Sequence, residues 1–428
     1  MRKNTPCKEM LRSAFLAGLM AAVLIVSSTT RVIAQSGKKN EGTVNPAKYI
    51  VLAWNTLGMH CYGKDYQDLA ILPPYNVLWA QVIKVAEPPE IAVEGIIVEY
   101  SFKENTCSAG KPDMPDKTNF WKYVKQLFNK DIKPDMGLAG KGLSGEMDLD
   151  GDRFIAAGIP LTEYNDSDVN GKGRESWITH HYQLATIVVK DILTGRELCR
   201  TTAVAPVSNE LNCAKCHSDE GIATRSSGIT PTGRAGSNIL STHDKLNPAK
   251  YTPALMDKRP VLCAECHSSN ALGAKGKEGV PSLSNAMHEK HKDVPGITPD
   301  TPGCYSCHPG SRTQCLRDTM ATNYMLNCTT CHGTMDEVAR NKDPWIVEPR
   351  CDNPSCHGSG YRLDKPLYKD SKATVKIYCA GCHDSPHAIA PSREEADQIK
   401  FKELQGYNGT LRECAVCHGQ MPSKPFKH

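Results

Sequence analysis

From Cys213 onward the chain seven times sets two cysteines a short turn apart and follows the second directly with a histidine. Six of these have the spacing C-x-x-C-H: Cys213, Cys216 and His217; Cys263, Cys266 and His267; Cys304, Cys307 and His308; Cys328, Cys331 and His332; Cys379, Cys382 and His383; and Cys414, Cys417 and His418. In the seventh, Cys351, Cys356 and His357, four residues separate the cysteines. Two thiols one tight turn apart can form thioethers with the two vinyl groups on one edge of a porphyrin. The next residue then lies under the iron, and an imidazole there becomes the proximal ligand, so each motif predicts one covalently held haem c. The longer spacing widens the turn without moving the histidine from its cysteine, so the expected cofactor is seven haems. Paired cysteines also build zinc sites and redox dithiols, but neither needs a histidine directly after the second cysteine, and all seven have one.

An iron held on one face needs a ligand on the other, and that ligand decides between conduction and catalysis. Eight histidines lie outside the motifs: His60, His180, His181, His243, His288, His291, His387 and His428. Seven bis-histidine haems would therefore leave one histidine to spare. Two imidazoles saturate the iron, which then changes oxidation state with little rearrangement. His288 and His291 stand three apart in a stretch expected to be helical, residues 286–292, so both fit one helix face and could serve two neighbouring haems. His243 and His387 are further candidate distal ligands. His60, His180 and His181 fall in a β-rich region, where a hydrogen-bonded structural histidine competes with ligation, and His428 ends the chain. Six methionines near motifs or candidate ligands (Met59, Met256, Met287, Met320, Met325 and Met421) read as packing residues.

The first 34 residues read as a secretory leader: Arg2, Lys3, Lys8 and Arg12 precede the apolar run 14–26, and Val32-Ile33-Ala34 forms a small-residue cleavage site. No other stretch has the roughly 18 apolar residues of a membrane span, so an exported protein without a membrane anchor is expected, periplasmic or extracellular. Formal net charge is +4 for the whole chain, and without residues 1–34 acids and bases balance. No basic stripe with interleaved aromatics argues for nucleic acid. Of 19 cysteines, 14 belong to the motifs and Cys7 to the leader, leaving Cys61, Cys107, Cys199 and Cys315. An even remainder in an oxidising compartment favours disulfides. Cys61 with Cys107 is the preferred pairing, one of three connectivities open to four cysteines.

Two regions must position these groups. Residues 35–207 carry β-rich runs at 49–54, 76–85 and 91–102, bounded by Pro, Gly and Asn. A hairpin is expected from 182–190 through the turn 193–196 to 197–207, and a helix at 119–129 with Phe120, Val124, Leu127 and Phe128 on one face. An antiparallel β-sandwich fits these signals. The acidic run Asp148 to Asp152 resembles a calcium loop, but its glycine comes too early and Ile159 stands where an EF-hand glutamate belongs, so it reads as an acidic turn. In residues 208–428 large apolar side chains thin out and Gly, Pro, Asn and Ser interrupt every short segment. Short helices and coil packed around porphyrins are expected there, with haem binding and folding as one process. The fold class is thus an all-β sandwich-like module followed by a haem-packed multihaem cytochrome c domain.

The motifs, together with segments such as Asn55-Thr56-Leu57-Gly58-Met59-His60-Cys61, Ile71-Leu72-Pro73-Pro74-Tyr75 and Cys304-Tyr305-Ser306-Cys307-His308-Pro309-Gly310, resemble the multihaem c-type cytochromes of metal-reducing bacteria. The resemblance covers about half the chain. It implies an electron carrier with proximal ligands at His217, His267, His308, His332, His357, His383 and His418. Redox-partner cytochromes or an extracellular acceptor would be its partners, and a homo-oligomer or filament is a narrower implication. The competing class is a reductase of a small nitrogen or sulfur oxyanion with one open-faced haem. Such enzymes often use a C-x-x-C-K motif, which this chain lacks. A third reading gives the β module a structural or adhesive role.

Overall fold

The computed structural model describes residues 48–423 except 249, 251, 295–296, 298–300, 311, 342–349, 359–360, 362–363, 366 and 374–375. The expected leader and His428 lie outside the described residues. From Ala47 onward the chain forms one compact unit.

Its first half is built from β1 (Tyr49–Asn55), β2 (His60–Cys61), β3 (Leu69–Ala70), β4 (Asn76–Lys84), β5 (Glu90–Ala92), β6 (Ile96–Phe102), α1 (Phe120–Phe128), β7 (Ser144–Glu146), β8 (Asp148–Asp150), β9 (Arg153–Ile159), β10 (Tyr182–Asp191) and β11 (Glu197–Ser208). One sheet runs β1-β4-β9-β8 with β5 paired to β4, and the other runs β2-β11-β10-β6-β7. Their inner faces share one apolar core, with Val51, Ala53, Leu78, Val82 and Phe154 from the first sheet and Val98, Tyr100, Ile187, Val189 and Ala205 from the second. The expected sandwich is present. It is antiparallel except where β2 runs parallel to β11, with His60 opposite Val207 and Cys61 opposite Ser208.

β1 and β4 are buried on both faces, which is why their sequences are nearly continuous apolar runs rather than alternating ones. Ile50, Leu52, Trp54, Trp79 and Ile83 point away from the sandwich core into a second cluster, completed by Tyr368, Ile377, Tyr378, Ala390, Phe401 and Leu411. Buried Gln81 joins the same contact, donating to the Lys376 carbonyl at 3.2 Å and accepting from the Tyr378 amide at 3.0 Å. The C-terminal region therefore has an apolar core of its own, borrowed from the outer face of a sheet.

The expected strand over 91–102 is two strands, separated by a turn in which Gly95 has φ +70°. The acidic run 148–152 is β8 and the turn of a hairpin into β9. Asp148 pairs with Lys141, Asp150 with Arg153 and Asp152 with Lys372, so its carboxylates are neutralised by cations of the chain. α1 buries Phe120, Val124 and Leu127 at i, i+4 and i+7 against Tyr66 and Ala70, as its periodicity predicts, with Phe128 partly buried beside them.

Past β11 the chain consists of short helices and coil: α2 (Ala214–His217), α3 (Ile222–Ser227), α4 (Ala235–Leu246), the two-residue strand β12 (Val261–Leu262), α5 (Leu283–His291), α6 (Thr301–Cys304), α7 (Thr319–Asn323), α8 (Cys328–His332), α9 (Met335–Arg340), α10 (Cys379–His383), α11 (Glu395–Gln405) and α12 (Ala415–His418). No helix among the described residues is long and apolar enough to cross a membrane.

Candidate metal centres

Each C-x-x-C-H spans one helical turn. The amide of the histidine donates to the carbonyl of the first cysteine in His217, His267, His308 and His418, at 2.9 to 3.0 Å, and the Cys328 and Cys379 motifs are themselves the helices α8 and α10. This closure puts both thiols and the imidazole on one local frame. The C-x4-C-H motif closes in the same way: His357 donates to the Cys351 carbonyl at 3.2 Å, while Cys356 and Gly358 both donate to the Asn353 carbonyl. The two added residues form an inner turn. None of the described motif cysteines is in a disulfide.

Among the described residues, these four motif histidines have a second imidazole near them: His217, His267, His308 and His332. Ring centres lie 6.3 Å apart for His217 and His291, 6.4 Å for His267 and His243, 6.1 Å for His308 and His288, and 6.0 Å for His332 and His387. Direct stacking brings rings closer than this. With metal–imidazole bonds of about 2 Å and each nitrogen roughly 1.1 Å from its ring centre, two rings sharing one metal stand about 6.2 Å apart. The residues thus fit a six-coordinate iron in four places, and four histidines singled out outside the motifs (His243, His288, His291 and His387) are the ones brought opposite.

Second hydrogen bonds fix which nitrogen is offered. The Nδ1 atoms of His288 and His291 sit on the carbonyls of Ser284 and Met287 one turn back in α5, at 2.8 and 2.6 Å. His267 Nδ1 lies 2.8 Å from the Pro281 carbonyl, His418 Nδ1 lies 2.8 Å from Glu87 Oε2, and His387 Nδ1 lies 3.4 Å from Cys315 Sγ. A partner on Nδ1 leaves Nε2 for a metal, orients the ring and strengthens it as a ligand. Burial pushes His308 and His387 down to about 4 and lowers His217, His243 and His332. These imidazoles are neutral near pH 7, the form that ligates.

His60 and His181 are similarly disposed on either side of β11. His60 is hydrogen-bonded to the Tyr75 backbone and His181 Nδ1 to the Val207 carbonyl at 3.2 Å, and both Nε2 atoms are buried without a hydrogen-bond partner. His180 differs, because its Nε2 is hydrogen-bonded to Asp168 Oδ2 at 2.8 Å. Among described residues the ring against exposed His357 is that of Tyr361, at 5.2 Å.

Sequence reasoning missed the residues that hold these ligands. Ser282 caps α5, and Asn285 ties it to the carbonyls of Ala339 and Asn341 around α9. Asn238 of α4 donates to the His217 carbonyl at 2.9 Å. Arg317, fully buried, pairs with Asp397 and donates to the carbonyls of Gly58 and Cys315, and its own amide donates to the His387 carbonyl. Glu87 and His418 are 331 residues apart, beyond any local pattern. Ser282, three residues before Asn285 at the head of a helical stretch, carried a readable N-cap signal.

The preferred Cys61–Cys107 bridge is not formed. The Cys107 thiol lies 4.0 Å from Asp166, amid Lys117, Lys111 and Asp135. Cys61 neighbours Cys315, Glu210 and Glu163 instead. The parallel β2–β11 pairing carries Cys61 to Ser208, whose hydroxyl meets Thr313 at 3.3 Å, and so turns it toward the Cys315 segment.

Neither the curated proteins nor the solved structures include a match to this chain. Residues 251–333 match the family model of cytochrome c7 and related cytochrome c. This stretch holds the Cys263, Cys304 and Cys328 motifs together with His288 and His291. The similarity supports a multihaem c-type cytochrome, and with it c-type haem and haem-based electron transfer.

Proposed function

We propose that the protein is an exported electron conduit carrying seven c-type haems, one on each motif, most of them bis-histidine. What carries the reading is the set of four imidazole pairs at 6.0 to 6.4 Å. On this reading His291 would serve the His217 site, His243 the His267 site, His288 the His308 site and His387 the His332 site. Bound there, the haems supply one-electron redox chemistry. Two imidazoles of the chain would hold each of these four irons, and an iron so held would favour conduction over catalysis. Buried His60 and His181, with Nε2 bare, are the ligands in reserve for further sites.

The reading extends to export by the N-terminal leader, to redox-partner cytochromes or an extracellular acceptor, and in its narrowest form to assembly into a homo-oligomer or filament. Electron microscopy of native secreted material showing monomers alone would count against the filament. The oxyanion-reductase reading has one observation in its favour: exposed His357, with Tyr361 as its ring neighbour, is where an open iron face would lie.

The haem count is tested by the intact mass of the mature protein. The proposal expects the polypeptide from Gln35 plus seven haems; six or fewer would break it.

A further inference from the structure

The motifs do not follow one another in space as they do in sequence. Numbered I to VII along the chain (first cysteines Cys213, Cys263, Cys304, Cys328, Cys351, Cys379 and Cys414), their neighbours are fixed by shared elements. His291 faces motif I and His288 faces motif III. These two residues are three apart on α5, and three residues rise only about 4.5 Å along a helix. Motifs I and III are therefore adjacent, although motif II lies between them in sequence.

Motif II is attached on the far side of motif I. Its facing histidine, His243, is at the end of α4, and α4 packs on α2, where Asn238 holds the His217 carbonyl. α4 is anchored in the opposite direction: Arg234 and Ser237 bind Asp68 at 2.8 and 2.9 Å. β12, immediately before Cys263, pairs with β3. These contacts tie motif II to the Asp68 corner of the β region.

Motif IV lies next to motif III. α6, ending at Cys304, packs on α8, which is motif IV. His387, opposite His332 of motif IV, leads into Ala390, whose amide donates to the His383 carbonyl of motif VI at 2.8 Å, so motif IV meets the remaining motifs here. Cys351, Cys379, Cys382 and Cys417 pack against the single apolar cluster on the outer face of β1 and β4, which gathers motifs V, VI and VII on one surface. Motif VII lies at the edge of that surface, with His418 against Glu87 and Gly419 facing Val85.

We propose that the seven attachment sites form one file that runs II–I–III–IV and continues into the group V, VI and VII, with its ports at motif II, beside the Asp68 corner, and motif VII, beside Glu87. This rests on the conduit reading above. It adds that partner redox proteins exchange electrons at these two ends, and that motif I, first in sequence, is interior to the file.

The test is a structure of the full-length holoprotein by crystallography or cryo-EM, with iron positions located from iron anomalous scattering or directly from the map. The expected result is that iron I lies between irons II and III, that iron IV joins iron III to the group of irons V, VI and VII, and that iron II has one neighbour. Seven irons in another order, for instance with II between I and III, would overturn the file and leave the conduit reading standing. An iron absent, or isolated from the others, would overturn both.

Discussion

The amide of His357 donates to the carbonyl of Cys351 across six residues, at 3.2 Å, the closure that the shorter motifs make across four. The four residues between Cys351 and Cys356 fold inward on the Asn353 carbonyl, so the outer frame of thiol, thiol and imidazole survives the insertion. A Cys351→Ala, Cys356→Ala double variant should therefore weigh one haem less than the parent. An unchanged number of haems would mean this motif holds none.

Gly58 is required by a close approach. A Cβ built there would lie 2.5 Å from His387 Nδ1 and 2.7 Å from the Pro386 carbonyl, too close for either to remain in place. Gly58→Ala should displace His387 from its position opposite His332 and convert roughly one haem in seven to high spin, read by EPR or by the high-spin charge-transfer absorption. Gly171, whose Cβ would meet nothing within 4 Å, supplies the control: Gly171→Ala should leave the spectrum unchanged.

The buried pair of Arg317 and Asp397 joins the β region to this same site. Arg317 Nε and NH2 bond the two carboxylate oxygens at 2.7 and 3.0 Å, and NH1 reaches the Gly58 carbonyl at 2.8 Å. Removing one partner strands a charge in the interior, at a cost of about 3–5 kcal/mol. Asp397→Ala should lower the unfolding free energy by that amount in guanidinium titrations. Arg317→Lys should recover little of the loss, because an ammonium lacks the planar fork that binds both oxygens. A change below 1 kcal/mol for Asp397→Ala would show that the pair contributes little.

Glu163 gives the sandwich a pH dependence. Burial raises its carboxyl from 4.5 to about 7, against opposing interactions with Tyr62, whose hydroxyl donates to it at 2.5 Å, and with Tyr164 and Arg312. A raised folded-state value contributes stability that is fully present below pH 4.5, where folded and unfolded forms both hold the proton. It is lost as pH rises through 7, at about 1.4 kcal/mol per unit and roughly 3 kcal/mol in all. Glu163→Gln keeps an acceptor for Tyr62 and removes the titration. The difference in stability between Gln variant and parent should grow in favour of the variant from pH 4.5 to 7, and a difference constant with pH would contradict the assignment.

Much of this was legible in the sequence because it is written locally. The motif turn is a four-residue matter, the α5 histidines share a face through their spacing, and β-rich runs bounded by turn residues became strands near their expected limits. Asp148 to Ile159 was harder to read: the acidic run drew attention to metal ligands, while the short continuous apolar run from Phe154 to Ile159 marked β9. Pairings across long separations left no local trace. The facing of His332 by His387, of Asp397 by Arg317 and of Cys61 by the Cys315 segment depends on how the C-terminal region settles on the outer face of β1 and β4. The hint was there in Ile50, Leu52 and Trp54, apolar residues on the face of β1 that an isolated sandwich would have turned to water.

The central claim, that paired imidazoles fill both faces of the irons, is tested most directly by low-temperature EPR of the air-oxidised, full-length holoprotein, with high-spin iron integrated against total haem. The four pairs predict that at least four haems in seven are low-spin, and that His291→Ala moves one more into the high-spin signal. A parent protein in which most of the haem is high-spin would contradict the account.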